Sequence, residues 1–238
     1  MYAWYSGSMT VWQSWPQNVT EPVNWEVPSP GGDSTIRLRT VSLLFSFAFF
    51  TAMGDKLGSD TLAANALLMQ LILLAAYGLD GFAFAAEGLS GTRLGARDLP
   101  GFYAAVHRCA LWCAVSAALA SLLFTLLHGP LFALLTDLPA IRDLMSIYLP
   151  WLIALPLVAA PSYLLDGVFI GSAETREMMT TMLFSVLLVY LPTWYLTRGL
   201  GNHGLWLAFI GWFLESAAMS APSSIASRPS PASAITFR

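Results

Sequence analysis

Apolar residues run along this chain in six long stretches, separated by polar residues or by Gly and Pro. A helix needs about 20 mostly apolar residues to cross a bilayer. The stretches fall at roughly 38–54, 61–89, 103–127, 144–171, 178–197 and 203–219, the first short and the last interrupted by Glu215. The second and fourth are long enough to tilt or kink, and Pro150, Pro156 and Pro161 supply a cause in the fourth. The pattern predicts an all-α membrane protein, a six-transmembrane-helix bundle over 36–219. Residues 1–35 place Trp4, Trp12, Trp15 and Trp25 among Pro, Ser and Gly without helical or strand period, and 220–238 is rich in Ser, Ala and Pro. Both ends are expected to be disordered additions, the tail reading as a frame change or truncation after "GLWLAFIGWFLE". The region after Met1 lacks a basic segment and a compact apolar core, so no signal peptide is expected.

Composition agrees with a lipid environment. The 238 residues are 56% hydrophobic and 11% charged, with mean hydropathy +0.63, where soluble domains carry about 25% charged residues. A net charge of −3 gives no basic field for nucleic acid. With the N-terminus in the cytoplasm, that side receives Arg37, Arg39, Arg93, Arg97, Arg108, Arg176, Arg228 and Arg238, and the other receives Lys56, Arg142 and Arg198. This asymmetry predicts both termini inside, with Trp151, Trp194 and Trp206 near the interfaces. Cys109 and Cys113, one turn apart in an apolar stretch, read as packing residues. No metal-ligand or nucleotide-binding motif is present, so no catalytic residue, metal or cofactor is expected.

Candidate chemistry lies in three carboxylates inside the apolar runs. Asp80 and Glu87 are seven residues apart on the second span, which returns them to nearly one face about 10 Å apart along the axis. An acid at bilayer depth costs about 3 kcal/mol or more unless it meets a cavity or a partner, or stays protonated. Asp166 in "SYLLDGVFIGS" is the third, on the fourth span. Glu87 and Asp166 are near helix ends, where either can reach water or pair with Arg93, Arg97 or Arg176; Asp80 is deeper and has no base within its span. Tyr77, Phe82 and Phe84 are cavity-lining candidates, with a packing role open for Tyr77. Gly78, Gly81, Gly88 and Gly91 thin the second span and are expected to bend it or let a neighbour approach.

Three stretches, "LGSDTLAANALLMQLILLAAYGLDGFAFAAEGLSGTRLGARD", "YLLDGVFIGSAETREMMTTM" and "LGNHGLWLAF", resemble the multidrug and toxic compound extrusion (MATE) transporters, especially the DinF-like branch. The resemblance covers about 38–214 and is to the second of the family's two six-helix lobes. It implies a bacterial inner-membrane, multi-pass antiporter that exports organic, often cationic, compounds in exchange for H+ or Na+. It also implies that the chain is a half-length piece whose partner is the missing N-terminal lobe. DinF-like members place a proton-linked aspartate on the first lobe, with no counterpart here. Other branches use an acid on the helix matching 38–54, which reads "FSFAFFTAMG" in this chain, and keep another on the helix that carries Asp166. Two further readings stand beside this one. A lipid-linked sugar flippase would want basic residues in the cavity. An intramembrane aspartyl protease would want Tyr-Asp and Gly-x-Gly-Asp, where this chain has "YGLD" and "LLDG".

Overall fold

The computed structural model describes residues 30–172, 180 and 182–219. The described residues form helices α1 (Pro30–Asp55), α2 (Ser59–Gly95), α3 (Leu99–Leu135), α4 (Pro139–Gly171), α5 (Met182–Leu200) and α6 (Asn202–Met219). Most of both expected disordered ends, and Arg176, lie outside the described residues; α1, however, starts at Pro30, ahead of the expected boundary at 35. Helices α2 to α5 are each long and apolar enough to cross a membrane, whereas the apolar part of α1, Thr40–Asp55, is shorter. In α5 a π-helical turn (Ser185–Tyr190) precedes a regular turn and a 3-10 end.

The middle helices run past the expected spans because their ends are capped outside the apolar run. Asp98 accepts from the Gly101 amide (2.9 Å) at the start of α3, with Pro100 in the first turn. Asp98 also pairs with Arg93 at 3.0 Å. Between them Arg97 takes a left-handed φ of 57°, which ends α2. The three prolines sit inside a continuous α4. Next to Pro156, Ser121 on α3 donates to the Ile153 carbonyl at 2.8 Å, the kind of side-chain bond that compensates a proline-weakened ladder.

Helix α4 is the centre of the bundle, packed most extensively on α2, then on α3 and α6, while α5 lies along α6. Helix α1 is held mainly by rings. Phe50 meets Trp206 at 4.9 Å, Phe49 meets Trp194 at 5.1 Å, and Phe47 meets Phe209 at 5.7 Å. The Tyr190 hydroxyl donates to the Ser46 carbonyl (3.2 Å). Trp206, expected at an interface, is instead fully buried in this aromatic core with Phe209, Trp212 and Tyr190. Its indole finds a polar partner inside the protein, which removes the reason to sit at the headgroups. Cys109 and Cys113 are both buried free thiols.

Candidate functional site

Glycines on α4 bring that helix against α2 at the level of the acids. A Cβ at Gly167 would overlap the Ala83 carbonyl, and one at Gly171 would overlap the Glu87 carbonyl. On α2, a Cβ at Gly91 would come within 2.8 Å of the Gly171 carbonyl oxygen. The two backbones therefore touch along a seam flanking Ala83 and Glu87, as small residues allow in membrane bundles. The seam sets Asp166, the neighbour of Gly167, beside the face of α2 that carries Asp80 and Glu87.

All three acids line one partly open cavity of about 360 Å³. Its wall includes Phe47 from α1, Ala76, Ala83 and Phe84 from α2, Ser162, Tyr163 and Gly167 from α4, Met182 from α5, and Trp212 and Phe213 from α6. Asp80, Glu87 and Asp166 are half-buried. Among the described lining residues there is no Lys, Arg or His. Arg93, on the extended α2, bonds Asp98 and not Glu87. The arrangement is chemically one-sided: carboxylates to meet positive charge, ring faces to meet apolar or cationic surface.

Other sequence-based candidates fall elsewhere. Phe84 lines the cavity, but Tyr77 is 66% exposed and lies outside the lining. Phe82 packs with Leu79, Cys113, Ala117 and Ala160 against α3, so it is not a cavity residue either. Phe82, two residues on from Asp80, is turned to the opposite side of the helix, whereas Tyr77 at i−3 shares the side of Asp80 but stands on its exposed edge. A Cβ at Gly78, Gly81 or Gly88 would meet nothing within 4 Å, so close packing holds only for Gly91 of the four. The seam's other partners, Gly167 and Gly171, carry no expectation from sequence, although both stand within the "LLDGVFIGS" stretch.

A second polar cluster, absent from the sequence reading, lies at the end of the bundle where α1 meets α2 and α6 begins. Asn65 and Asn202 exchange two side-chain hydrogen bonds, at 2.7 and 2.9 Å, and Trp206 Nε1 donates to Asn65 Oδ1 at 3.0 Å. Both amides are buried. Gly54 makes room: a Cβ there would come within 3.2 Å of Asn65 Nδ2. Beside this cluster Trp151 donates to His203 Nδ1 (2.9 Å), so α2, α4 and α6 are tied by polar bonds at one end. A neutral amide inside an apolar run was the available signal, of the same kind that marked the acids.

The MatE family profile matches residues 36–196. Among curated proteins, "DNA damage-inducible protein F" of Escherichia coli (strain K12) is 41% identical over 178 residues, covering 73% of this chain and 38% of that protein. Among solved structures, a MATE protein in the bent conformation superposes with a TM-score of 0.70 at 16% identity, over 77% of this chain and 41% of the other. An outward-facing multidrug resistance MATE family transporter of the MOP superfamily gives 0.68 at 18% identity, over 77% and 42%. The chain thus spans about two fifths of the length of these relatives.

Proposed function

The chain belongs to the MatE family, and from that premise we propose that it is the second six-helix lobe of a secondary antiporter that exports organic, often cationic, compounds against an inward H+ or Na+ gradient. The family is one of membrane transporters, so the chain is not an enzyme. The observation that carries the reading is the convergence of Asp80, Glu87 and Asp166 on one aromatic-lined cavity. Its volume of about 360 Å³ falls in the range of about 300–1,000 Å³ usual for small-molecule sites. Acids without a basic residue in the described lining favour a cation over the pyrophosphate of a lipid-linked sugar. Asp80 is the leading coupling residue, with Glu87 and Asp166 beside it, because it sits deepest along α2 from the Arg93 end.

Export by alternating access needs two lobes to rock against each other. The partner is accordingly a first six-helix lobe, and the chain is not competent alone. The placement of its Lys and Arg residues favours both termini in the cytoplasm, and the likeness to an E. coli protein of this family supports a bacterial inner membrane. The test is complementation in a drug-sensitive, efflux-deficient bacterium. This chain is co-expressed with the part of the E. coli relative that it does not match, and ethidium efflux is followed. The pair should export and either part alone should not. Export by this chain alone, or none by the pair when both are inserted in the membrane, contradicts the proposal.

A further inference from the structure

A groove opens on the opposite side of α4 from the acids. Ser162, Asp166 and Gly167 face the carboxylate cavity, whereas Pro161, Leu164 and Leu165 line a separate hollow of about 450 Å³ against α3. At about 100° per residue, the two sets point in nearly opposite directions. Helix α3 adds Tyr103, His107 and Ala110, and the wall is apolar almost throughout, without a carboxylate. Only 22% of the most apolar stretch of α3 is buried, with Leu111, Trp112 and Val115 exposed, so this side of the lobe faces lipid. Helix α3 has 37 residues and is about 55 Å long. Centred on a hydrocarbon core of about 30 Å, it overhangs by about 13 Å at each end. His107 and Arg108 lie about 12–14 Å from its start at Leu99. Both are exposed, and they therefore stand where hydrocarbon meets headgroups. Helix α3 contains no acid, and Arg108 forms no ion pair among the described residues. A guanidinium at this depth calls for an anion.

We propose that this groove is a binding site for an anionic phospholipid. One acyl chain lies between α3 and α4, and the phosphate rests against His107 and Arg108, in the leaflet at the Leu99 end of α3. The apolar wall accepts the chain but selects nothing, because lipid tails are as apolar as the leucines they touch. Selection comes from charge. His107 lines the groove itself. Arg108 is one residue round the helix, and its long stem carries the guanidinium into the headgroup layer beside it. A basic residue at the membrane surface favours an anionic lipid by about 1 kcal/mol. An organic cation finds no carboxylate here and a positive charge at the rim, so this groove and the acidic cavity take ligands of opposite sign.

The test is native mass spectrometry of the purified full chain in a neutral detergent, titrated with dioleoylphosphatidylglycerol or dioleoylphosphatidylcholine. The two lipids share their chains and differ in headgroup charge. The first phosphatidylglycerol should bind about fivefold more tightly than the first phosphatidylcholine, the equivalent of about 1 kcal/mol. The double variant His107→Gln/Arg108→Gln changes only exposed side chains and should abolish that preference. Arg198→Gln removes a positive charge at the α5–α6 turn, away from the groove, and should keep it. Ala110→Phe fills the groove and should weaken the first binding of both lipids. Equal affinity of the parent chain for the two lipids overturns the proposal, since the groove then holds only bulk lipid. A preference that survives in the double variant, or is lost equally in Arg198→Gln, overturns it too, by placing the selection elsewhere or in net charge. Undiminished binding by folded Ala110→Phe removes the acyl chain from the groove and overturns it likewise.

Discussion

Replacing Asn65 by Ala should destabilise the lobe far more than one lost side chain on an apolar helix would suggest. The substitution removes the acceptor of Trp206 Nε1 and both partners of the Asn202 amide. Three polar groups are then left enclosed, with Asn202 5% exposed and Trp206 fully buried. A buried group left unsatisfied costs about 1–3 kcal/mol. Interhelical hydrogen bonds inside membranes average only about 0.6 kcal/mol, because the unfolded chain in lipid finds other partners. Three groups, each costing between that average and the low end of the unsatisfied-group range (about 0.6–1.3 kcal/mol), place the loss at roughly 2–4 kcal/mol. Asn202→Ala should cost less, because the Asn65 oxygen still receives the Trp206 indole. The double variant Asn65→Leu/Asn202→Leu should be milder than Asn65→Ala, since it leaves only the indole unpaired. Unfolding of the purified chain by SDS in mixed micelles, followed by tryptophan fluorescence, measures all three. A loss below about 0.5 kcal/mol for Asn65→Ala, or an Asn65→Ala/Asn202→Ala double variant that loses the sum of the two single losses, would refute the idea that the amides act as one unit.

Gly167→Ala should lower stability by about 1–3 kcal/mol, because its new methyl overlaps the Ala83 carbonyl, whereas Gly81→Ala should be neutral or stabilise by up to about 1 kcal/mol; the same SDS titration compares them. Reporter fusions after residues 57, 98, 137, 175, 201 and 225 should alternate between outside and inside, starting outside, and two adjacent fusions on one side would remove a helix from the membrane topology. Glu87→Gln should weaken binding of methyltriphenylphosphonium to the chain in nanodiscs less than Asp80→Asn does, because Glu87 lies closer to the charged end of α2 at Arg93; equal losses would place both acids in the same environment.

The helices were legible because lipid leaves a chain little choice. Every backbone group must be paired locally, so an apolar run of sufficient length is a helix. Their ends were less legible, since Asp98 and Arg97 stop and restart the chain beyond the apolar window. The acids were legible for an energetic reason: Asp80, Glu87 and Asp166 would be costly in lipid, and they do meet in one cavity. The glycines were not. Composition marked α2 as glycine-rich, but only the packing shows that Gly91 faces α4 and Gly81 faces open space. Phe82 failed because two residues on from Asp80 is the opposite side of the helix, and Tyr77, though on the same side, stands on its exposed edge and not in the cavity. The Asn65–Asn202 pair joins positions 137 residues apart, and no local period links them.

The central claim is that these carboxylates form an organic-cation site, with Asp80 foremost. Equilibrium binding of tritiated methyltriphenylphosphonium to the purified chain in nanodiscs tests it most directly, comparing the parent with Asp80→Asn at matched folded protein. The account predicts saturable binding by the parent and a loss of about tenfold or more in the variant, the equivalent of at least about 1.4 kcal/mol of charge attraction. Equal affinity in the two proteins, with both folded, would make Asp80 a structural polar residue and contradict the account.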